Sequence, residues 1–296
     1  MKTHPGGDLP LLNLAGQDVT DAYIALHPPT AWTHLDKFFN GYYLKDYTVS
    51  DVSKDYRKLY SEFKKMGLFE KKGHGRKLFG SFGLWWVDGV SLDSKWVAWH
   101  DSGHYQIMID RKFNRYAQIL TGNCLAGISI GWWKRNHTAH HIAVNSLEYD
   151  PDLQHMPVFV VSSKFFDSLT SKYYERKLNF DWVTRLLVSY QHYTYYPVMC
   201  VARLNLFAQS FVLLLSNKRV ANRGQELLGL LVFWIWYPLL VSCLPNWGER
   251  VMFVLASFSV TGIQHVQFTL NHFSSSVYVG EPRGNDWFEK QNQWDT

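Results

Sequence analysis

The sequence predicts a mainly α-helical, membrane-bound protein with a small aqueous unit at its N-terminus. Three observations carry this. Residues 227–244 contain no Asp, Glu, Lys or Arg, and residues 251–270 are uncharged if His265 is neutral, so each is long and apolar enough to cross a bilayer. Aromatic residues make up 17% of the chain, with 13 Trp and 17 Tyr, side chains that anchor well at the headgroup level. The 13 histidines fall in groups at helical spacing. A mean hydropathy of -0.20 means that the spanning helices share the chain with a substantial aqueous body.

The net charge of +5 is scattered, with no basic run of five or more, which argues against nucleic acid and for an anionic membrane surface. Cys124, Cys200 and Cys243 form no CxxC pair, so neither a disulfide framework nor a thiolate metal site is indicated. The first thirty residues hold no apolar core of a secretory signal, and membrane insertion is expected from internal segments.

Along the chain, residues 1–47 read as a small unit with turns at Pro5-Gly6-Gly7 and Pro28-Pro29 around a helix-compatible stretch at 17–26. Residues 48–73 read as an amphipathic linker helix, with Tyr56, Leu59, Tyr60, Phe63 and Met66 at three- and four-residue spacing, a stripe expected to pack on its own domain. Residues 78–99 are apolar in tone but carry Asp88, Asp93 and Lys95, each costing about 2.5–3.5 kcal/mol at a span's centre. Residues 195–215 are interrupted by Pro197 and Arg203, which places them at the interface or at a span's edge.

His100 and His104 stand four apart, one turn along a helix face, and His137, His140 and His141 repeat the i, i+3, i+4 pattern. Five imidazoles exceed the three protein ligands of a catalytic zinc and lack the cysteines of a typical structural one, which favours iron and oxygen chemistry. His265, inside an apolar run, reads as a core or interface residue.

Four segments carry a specific resemblance: His100 to His104; Trp132-Trp133-Lys134-Arg135-Asn136-His137 to His141; Asn145-Ser146-Leu147-Glu148-Tyr149-Asp150-Pro151-Asp152-Leu153; and Gln264-His265-Val266-Gln267-Phe268-Thr269-Leu270-Asn271-His272-Phe273. Together they resemble the plant front-end desaturases, the delta-6 acyl-lipid and delta-8 sphingolipid long-chain-base enzymes, over nearly the whole chain. The resemblance implies a helical histidine-box desaturase fold over residues 74–296 and a di-iron centre held by His100, His104, His137, His140, His141 and His272. It implies an endoplasmic reticulum membrane with the boxes on the cytosolic face, and two spans between the second box and His272 satisfy that topology. Asp101, Asp150 and Asp152 are the nearest carboxylates; Asp101 is expected to support a box histidine and Asp152 to cap a helix.

His4-Pro5-Gly6-Gly7 resembles the haem-binding signature of cytochrome b5, which implies a partial α+β haem unit over residues 1–47 with His4 and His27 as axial ligands of haem b and His34 as a competitor. The implied partners are a lipid acyl chain or sphingolipid long-chain base, the membrane, and an electron donor such as a cytochrome b5 reductase. A haem donor on a short flexible linker would act at roughly millimolar effective concentration. The family pattern also leads one to expect residues ahead of His4, a longer hydrophobic hairpin between Gly73 and His100, and a third box, Q-x-x-H-H, beyond Thr296. On that pattern the sequence reads as a shortened copy, expected not to desaturate as it stands; the competing reading is a non-catalytic family member.

Overall fold

The computed structural model describes residues 4, 11, 14–27, 29–41, 49–70, 100–105, 107–274, 276–280 and 286–291. The charged stretch at 78–99 and the turn Pro5-Gly6-Gly7 lie outside them.

In the N-terminal unit, helix α1 (Thr20–Leu26) starts where the Asp18 carboxylate accepts the Thr20 N–H at 2.9 Å. It stops at His27, extended at φ -120° and ψ 144°, because the following Pro28 disfavours a helical residue before it. The linker forms helix α2 (Asp51–Lys65): Ser50 caps its start, Asp51 sits in the first turn, and Lys64 and Lys65 sit in the last, each sign matching the helix dipole. Gly67, at φ 72°, follows the helix end. The stripe on α2 is divided: Tyr60 and Phe63 pack on Phe69, Leu59 and Met66 stay exposed, and Tyr56 lies 4.3 Å from Phe288 of a short helix near the other end of the chain. The stripe thus packs partly on its own segment, as expected, and partly on the helix at 287–291. Arg57 bridges back to Asp18 (2.8 Å) and Asp21 (2.7 Å), tying linker and N-terminal unit together.

Helix α3 (Arg111–Gln118) runs into a π-helical turn at Ile119–Ala126, and Gly127 at φ 72° swings the chain into helix α4 (Ile130–Ile142). A Cβ on Gly127 would stand 2.5 Å from the Phe233 ring, so glycine serves both the bend and the packing. Beyond α4 a compact body forms around Leu147, Leu153, Met156, Val160, Phe165, Leu178, Val188 and Val277, with a small hairpin, β1 (Thr170–Ser171) and β2 (Arg176–Lys177), on its edge.

Helix α5 (Trp182–Ser189) has three faces: Thr184 and Val188 are buried, Arg185 and Ser189 are polar, and Trp182, Val183, Leu186 and Leu187 are apolar and uncovered. Helices α6 (Gln191–Val201) and α7 (Arg203–Leu215) follow at 59° to each other and together are long and apolar enough for one broken span. Arg203 does not face lipid. Its Nη2 donates to the Ala126 carbonyl at 2.7 Å and its guanidinium lies among the rings of Phe207, Phe233 and Phe258. The segment placed at the interface or at a span's edge from its Pro and Arg is a pair of helices bent at Ala202, with its charge taken up by the protein.

Helices α8 (Arg223–Ser242) and α9 (Trp247–Phe273) each pass the length and hydropathy test for a membrane span and are joined by a turn that Asn246 caps. The second is longer than the apolar run and carries His272 in its last turn. Helix α10 (Trp287–Gln291) packs on α1 and α2, where Leu14, Ala22, Leu26 and Trp287 meet Ile142 at the end of α4. In the N-terminal unit, the strand character among the described residues is the bridge between Asp18 and Asp286.

Candidate metal centre

The first box occupies a helical turn at 100–103, and its Gly103 is dictated by what lies beneath. A Cβ there would come within 2.3 Å of the Trp133 ring. Trp133 is the floor of the site: it stacks on His137 at 4.6 Å and meets His100 and His104 edge-on at 5.6 and 5.7 Å. After His104 the chain turns through Tyr105 at φ 60°, whose hydroxyl accepts from Lys134 Nζ at 2.7 Å and whose ring lies under Arg111 at 4.2 Å.

Helix α4 brings the second box to the same point. His137 Nε2 lies 3.1 Å from His100 Nε2, 3.1 Å from His104 Nε2 and 3.0 Å from His141 Nε2. One ring nitrogen carries at most one proton, so these contacts do not all become hydrogen bonds. His100 Nδ1 lies 3.0 Å from Asp101 Oδ1, which assigns its proton to that side and turns the Nε2 lone pair inward. His100, His104 and His137 lie close enough together to share one cation, with His141 beside His137. Burial and the neighbouring imidazoles hold His137 down to about 2 and His104 and His141 to about 4, so the rings stay neutral and ready to ligate.

His140 points to a second position. Its Nδ1 donates to Asp150 Oδ2 at 2.9 Å, which leaves Nε2 free, and its ring centre is 5.2 Å from that of His272. His140, Asp150 and His272 group closely enough to share an ion, but Asp150 is already committed: it also accepts the N–H groups of Asn145 (3.0 Å) and Asp152 (2.9 Å). Its part is to orient His140. Burial works against a charged His140, but the Asp150 carboxylate outweighs it and pushes the group up to about 9. His272 Nδ1 lies 3.1 Å from Asn145 Oδ1, and Asn145 reaches it from a left-handed conformation at φ 64°.

All six predicted metal residues thus gather in two adjoining clusters. Asp101 supports His100 as expected. The cap expected of Asp152 is made by Asp150, and Asp152 instead accepts from Asn136 at 2.7 Å. His265 lies against the Met199 carbonyl at 3.4 Å, an interhelical role. Trp133, Asn145 and His155 were missed as parts of the site: His155 stands outside the boxes, donates to the Asp152 carbonyl at 2.7 Å and stacks on Phe159. Only the second-box spacing offered a signal for Trp133, four residues before His137.

In the N-terminal unit the His4 and His27 ring centres are 5.9 Å apart, close to the about 6 Å that one iron ligated from opposite sides would impose. Burial and His4 keep His27 neutral, its Nδ1 is buried without a hydrogen-bond partner, and Tyr23 stacks on its ring at 4.2 Å. The pair fits haem ligation, while His34 is exposed.

Comparison with known proteins agrees with this geometry. The family described as "Fatty acid desaturase" matches residues 78–295, and "Cytochrome b5-like Heme/Steroid binding domain" matches residues 1–44. The chain is 60% identical to an acyl-lipid (9-3)-desaturase of Borago officinalis over 98% of its own length and 70% of the relative. It is 60% identical to a delta(8)-fatty-acid desaturase of Helianthus annuus (99% and 69%) and 34% identical to a delta 8-(E)-sphingolipid desaturase of Emericella nidulans (78% and 47%). The borage match runs over 314 residues against 296 here, so that relative has internal residues with no counterpart in this chain. No solved structure matches.

Proposed function

Because the chain belongs to the fatty acid desaturase family, we propose that it is an oxygen-dependent front-end desaturase of fatty acyl lipids or sphingolipid long-chain bases. The observation that carries this reading is the meeting of the Nε2 atoms of His100, His104 and His141 with that of His137, with His140 and His272 beside them. In this reading His100, His104, His137 and His141 hold one non-haem iron, and His140 and His272 contribute to a second. Residues 1–47 form the haem b unit with His4 and His27 as ligands, residues 48–73 the linker, and residues 74–296 the desaturase body.

Iron supplies oxygen activation and haem supplies single electrons. The overall change balances as a CH2–CH2 pair, O2, two electrons and two protons giving a CH=CH pair and two waters. A flavin-dependent cytochrome b5 reductase is the source proposed for the electrons. The chain's own residues hold and aim. Asp101 and Asp150 fix the His100 and His140 rings, Asn145 fixes His272, and Trp133 packs under the first cluster. His272 stands at the end of α9, where a membrane span meets the aqueous body, a position that suits a reaction on a chain lying in the bilayer.

Helices α8 and α9 are proposed to span the endoplasmic reticulum membrane with the histidines on the cytosolic side, and the bent α6–α7 pair to enter and leave the bilayer on that same side as a re-entrant loop. The uncovered face of α5 would lie in the headgroup layer on that side, since α6 begins there and Tyr195 on it meets Phe273 next to His272. Similarity to the borage acyl-lipid desaturase supports the first substrate class, and similarity to the Emericella nidulans sphingolipid desaturase supports the second.

Expression in yeast of the chain carrying the longer hairpin and the Q-x-x-H-H segment of the family pattern, with lipid and long-chain-base profiling, tests the reading. New double bonds are expected in one pool and are expected to vanish with His137→Ala. Iron-loaded protein that forms none in either pool would overturn it.

A further inference from the structure

Helix α4 carries three of the six histidines, and its start is gripped by side chains from the membrane helices. Ser129 caps it, accepting the Trp132 N–H at 3.1 Å, and its own N–H donates to Ser210 Oγ of α7 at 2.9 Å. The Ser129 hydroxyl donates to Glu226 Oε2 at 2.5 Å, and the Gly131 N–H reaches both Glu226 carboxyl oxygens at 3.1 Å. Glu226 belongs to the first turn of α8, is 4% exposed, and also offers its backbone carbonyl to Asn123 Nδ2 at 3.3 Å.

The surrounding sequence accommodates this contact. A Cβ on Gly131 would stand 2.8 Å from Glu226 Oε1, and one on Gly229 would stand 2.6 Å from Asn123 Cβ, so two glycines permit the approach of α8 to the elbow before α4. An acid buried at the mouth of a spanning helix is a cost that persists only where its bonds are satisfied. Here they are satisfied by the Ser129 hydroxyl and the Gly131 N–H at the start of the metal helix, whose positive end favours an acid.

We propose that Glu226 is a positioning residue: it fixes α4 along its axis relative to span α8, and so sets where His137, His140 and His141 meet His100, His104 and His272. From Gly131 to His141 is about 15 Å along a helix at 1.5 Å per residue, a rigid lever with the ligands at its far end. The inference rests on the metal reading above.

The test uses the full chain in detergent or nanodiscs and cobalt(II) as probe, followed by its ligand-field absorbance. Glu226→Gln, which keeps an acceptor for the Gly131 N–H, is expected to bind cobalt within about threefold of wild type with an unchanged spectrum. Glu226→Ala is expected to weaken binding tenfold or more and to alter the spectrum, in the range seen when a metal site's supporting groups are lost. Trp236→Phe is the control: it removes a bond from the same span to the same elbow, Nε1 to the Cys124 carbonyl at 2.7 Å, while keeping an aromatic ring and every bond to Glu226. It is expected to lower thermal stability while leaving the spectrum alone. A wild-type spectrum and affinity in Glu226→Ala, or equal disturbance by Trp236→Phe, would overturn the proposal. Should the alanine variant not fold, Glu226→Asp carries the test, with a weakened site expected and wild-type binding counting against it. Cobalt binding that survives His137→Ala undiminished would instead sink the metal reading, whatever Glu226 does.

Discussion

His137 is the residue through which the other three nitrogens of the first cluster are related, so His137→Ala is expected to remove metal from that cluster, measured as iron per chain, rather than to weaken it slightly. Asp150→Asn keeps shape but loses the charge that holds the His140 proton on Nδ1; metal affinity is expected to fall about 10- to 100-fold, with Asp101→Asn milder because that pair is more exposed. Wild-type affinity in Asp150→Asn would refute this role. The metal-free protein also has a signed pH dependence. His104, His137 and His141 are lowered by burial and by one another, so the unfolded chain binds more protons than the folded one below the ordinary histidine range. Stability is therefore expected to fall as pH drops from about 6.5 toward 4. His140, raised to about 9 by Asp150, adds stability that is complete below about 6.5 and is lost as pH rises through 9. Thermal melts of the chelated protein across pH would check both arms; His140→Gln is expected to flatten the alkaline one. At this scale the ligands were legible because helical spacing puts i, i+3 and i+4 on one face. Their supports were legible in part: Asp101 and Asp150 stood out as carboxylates nearest the boxes, whereas Asn145 depends on a left-handed backbone that no periodicity encodes.

At the scale of elements, α8 and α9 were visible as uncharged runs, but their ends were not. Helix α8 extends back through Glu226 because α4 satisfies that acid, and α9 extends to Phe273 because its last turn docks against the histidine body rather than in lipid. The bend of the α6–α7 pair agrees with a segment interrupted by Pro197 and Arg203, but a sequence shows Arg203 without the Ala126 carbonyl and the three rings that receive it. An antiparallel α8–α9 pair with both outer ends on the histidine side makes a direct prediction: a glycosylation tag at Asn246 is expected to be modified and one at Lys218 not. The reverse pattern would overturn the topology. For α5, fluorophores on cysteines replacing Trp182 or Leu186 are expected to be quenched by nitroxide lipids placed near the headgroups, and one replacing Arg185 is not. Equal quenching at all three would remove the helix from the interface.

For the whole molecule, the sequence suggested a haem unit reaching its target on a flexible tether, with rate set by effective concentration. The structure instead seats that unit. Leu14, Ala22 and Leu26 pack with Trp287 against Ile142, so the residue before His27 and the residue after His141 share one apolar cluster. Long-range packing of this kind joins the two ends of the chain and leaves no local pattern to read. The seat is held from the linker by Arg57, whose bonds to Asp18 and Asp21 and the Ser53 hydroxyl on Asp21 satisfy a carboxylate that is 3% exposed. Removing one partner of such a pair leaves the other charge buried without compensation, which costs more than the pair itself contributes. Arg57→Ala is therefore expected to release the N-terminal unit while leaving the membrane helices in place. Amide exchange should rise at least tenfold in residues 20–26 and 287–291, with α8 and α9 unchanged. Arg57→Lys keeps the charge but loses the two-pronged geometry and is expected to fall between. The double variant Arg57→Ala with Asp21→Asn relieves the stranded charge, so it should recover part of the protection. If exchange in residues 20–26 were the same in Arg57→Ala as in wild type, the unit would not be held through this pair, and the tethered description would stand in its place.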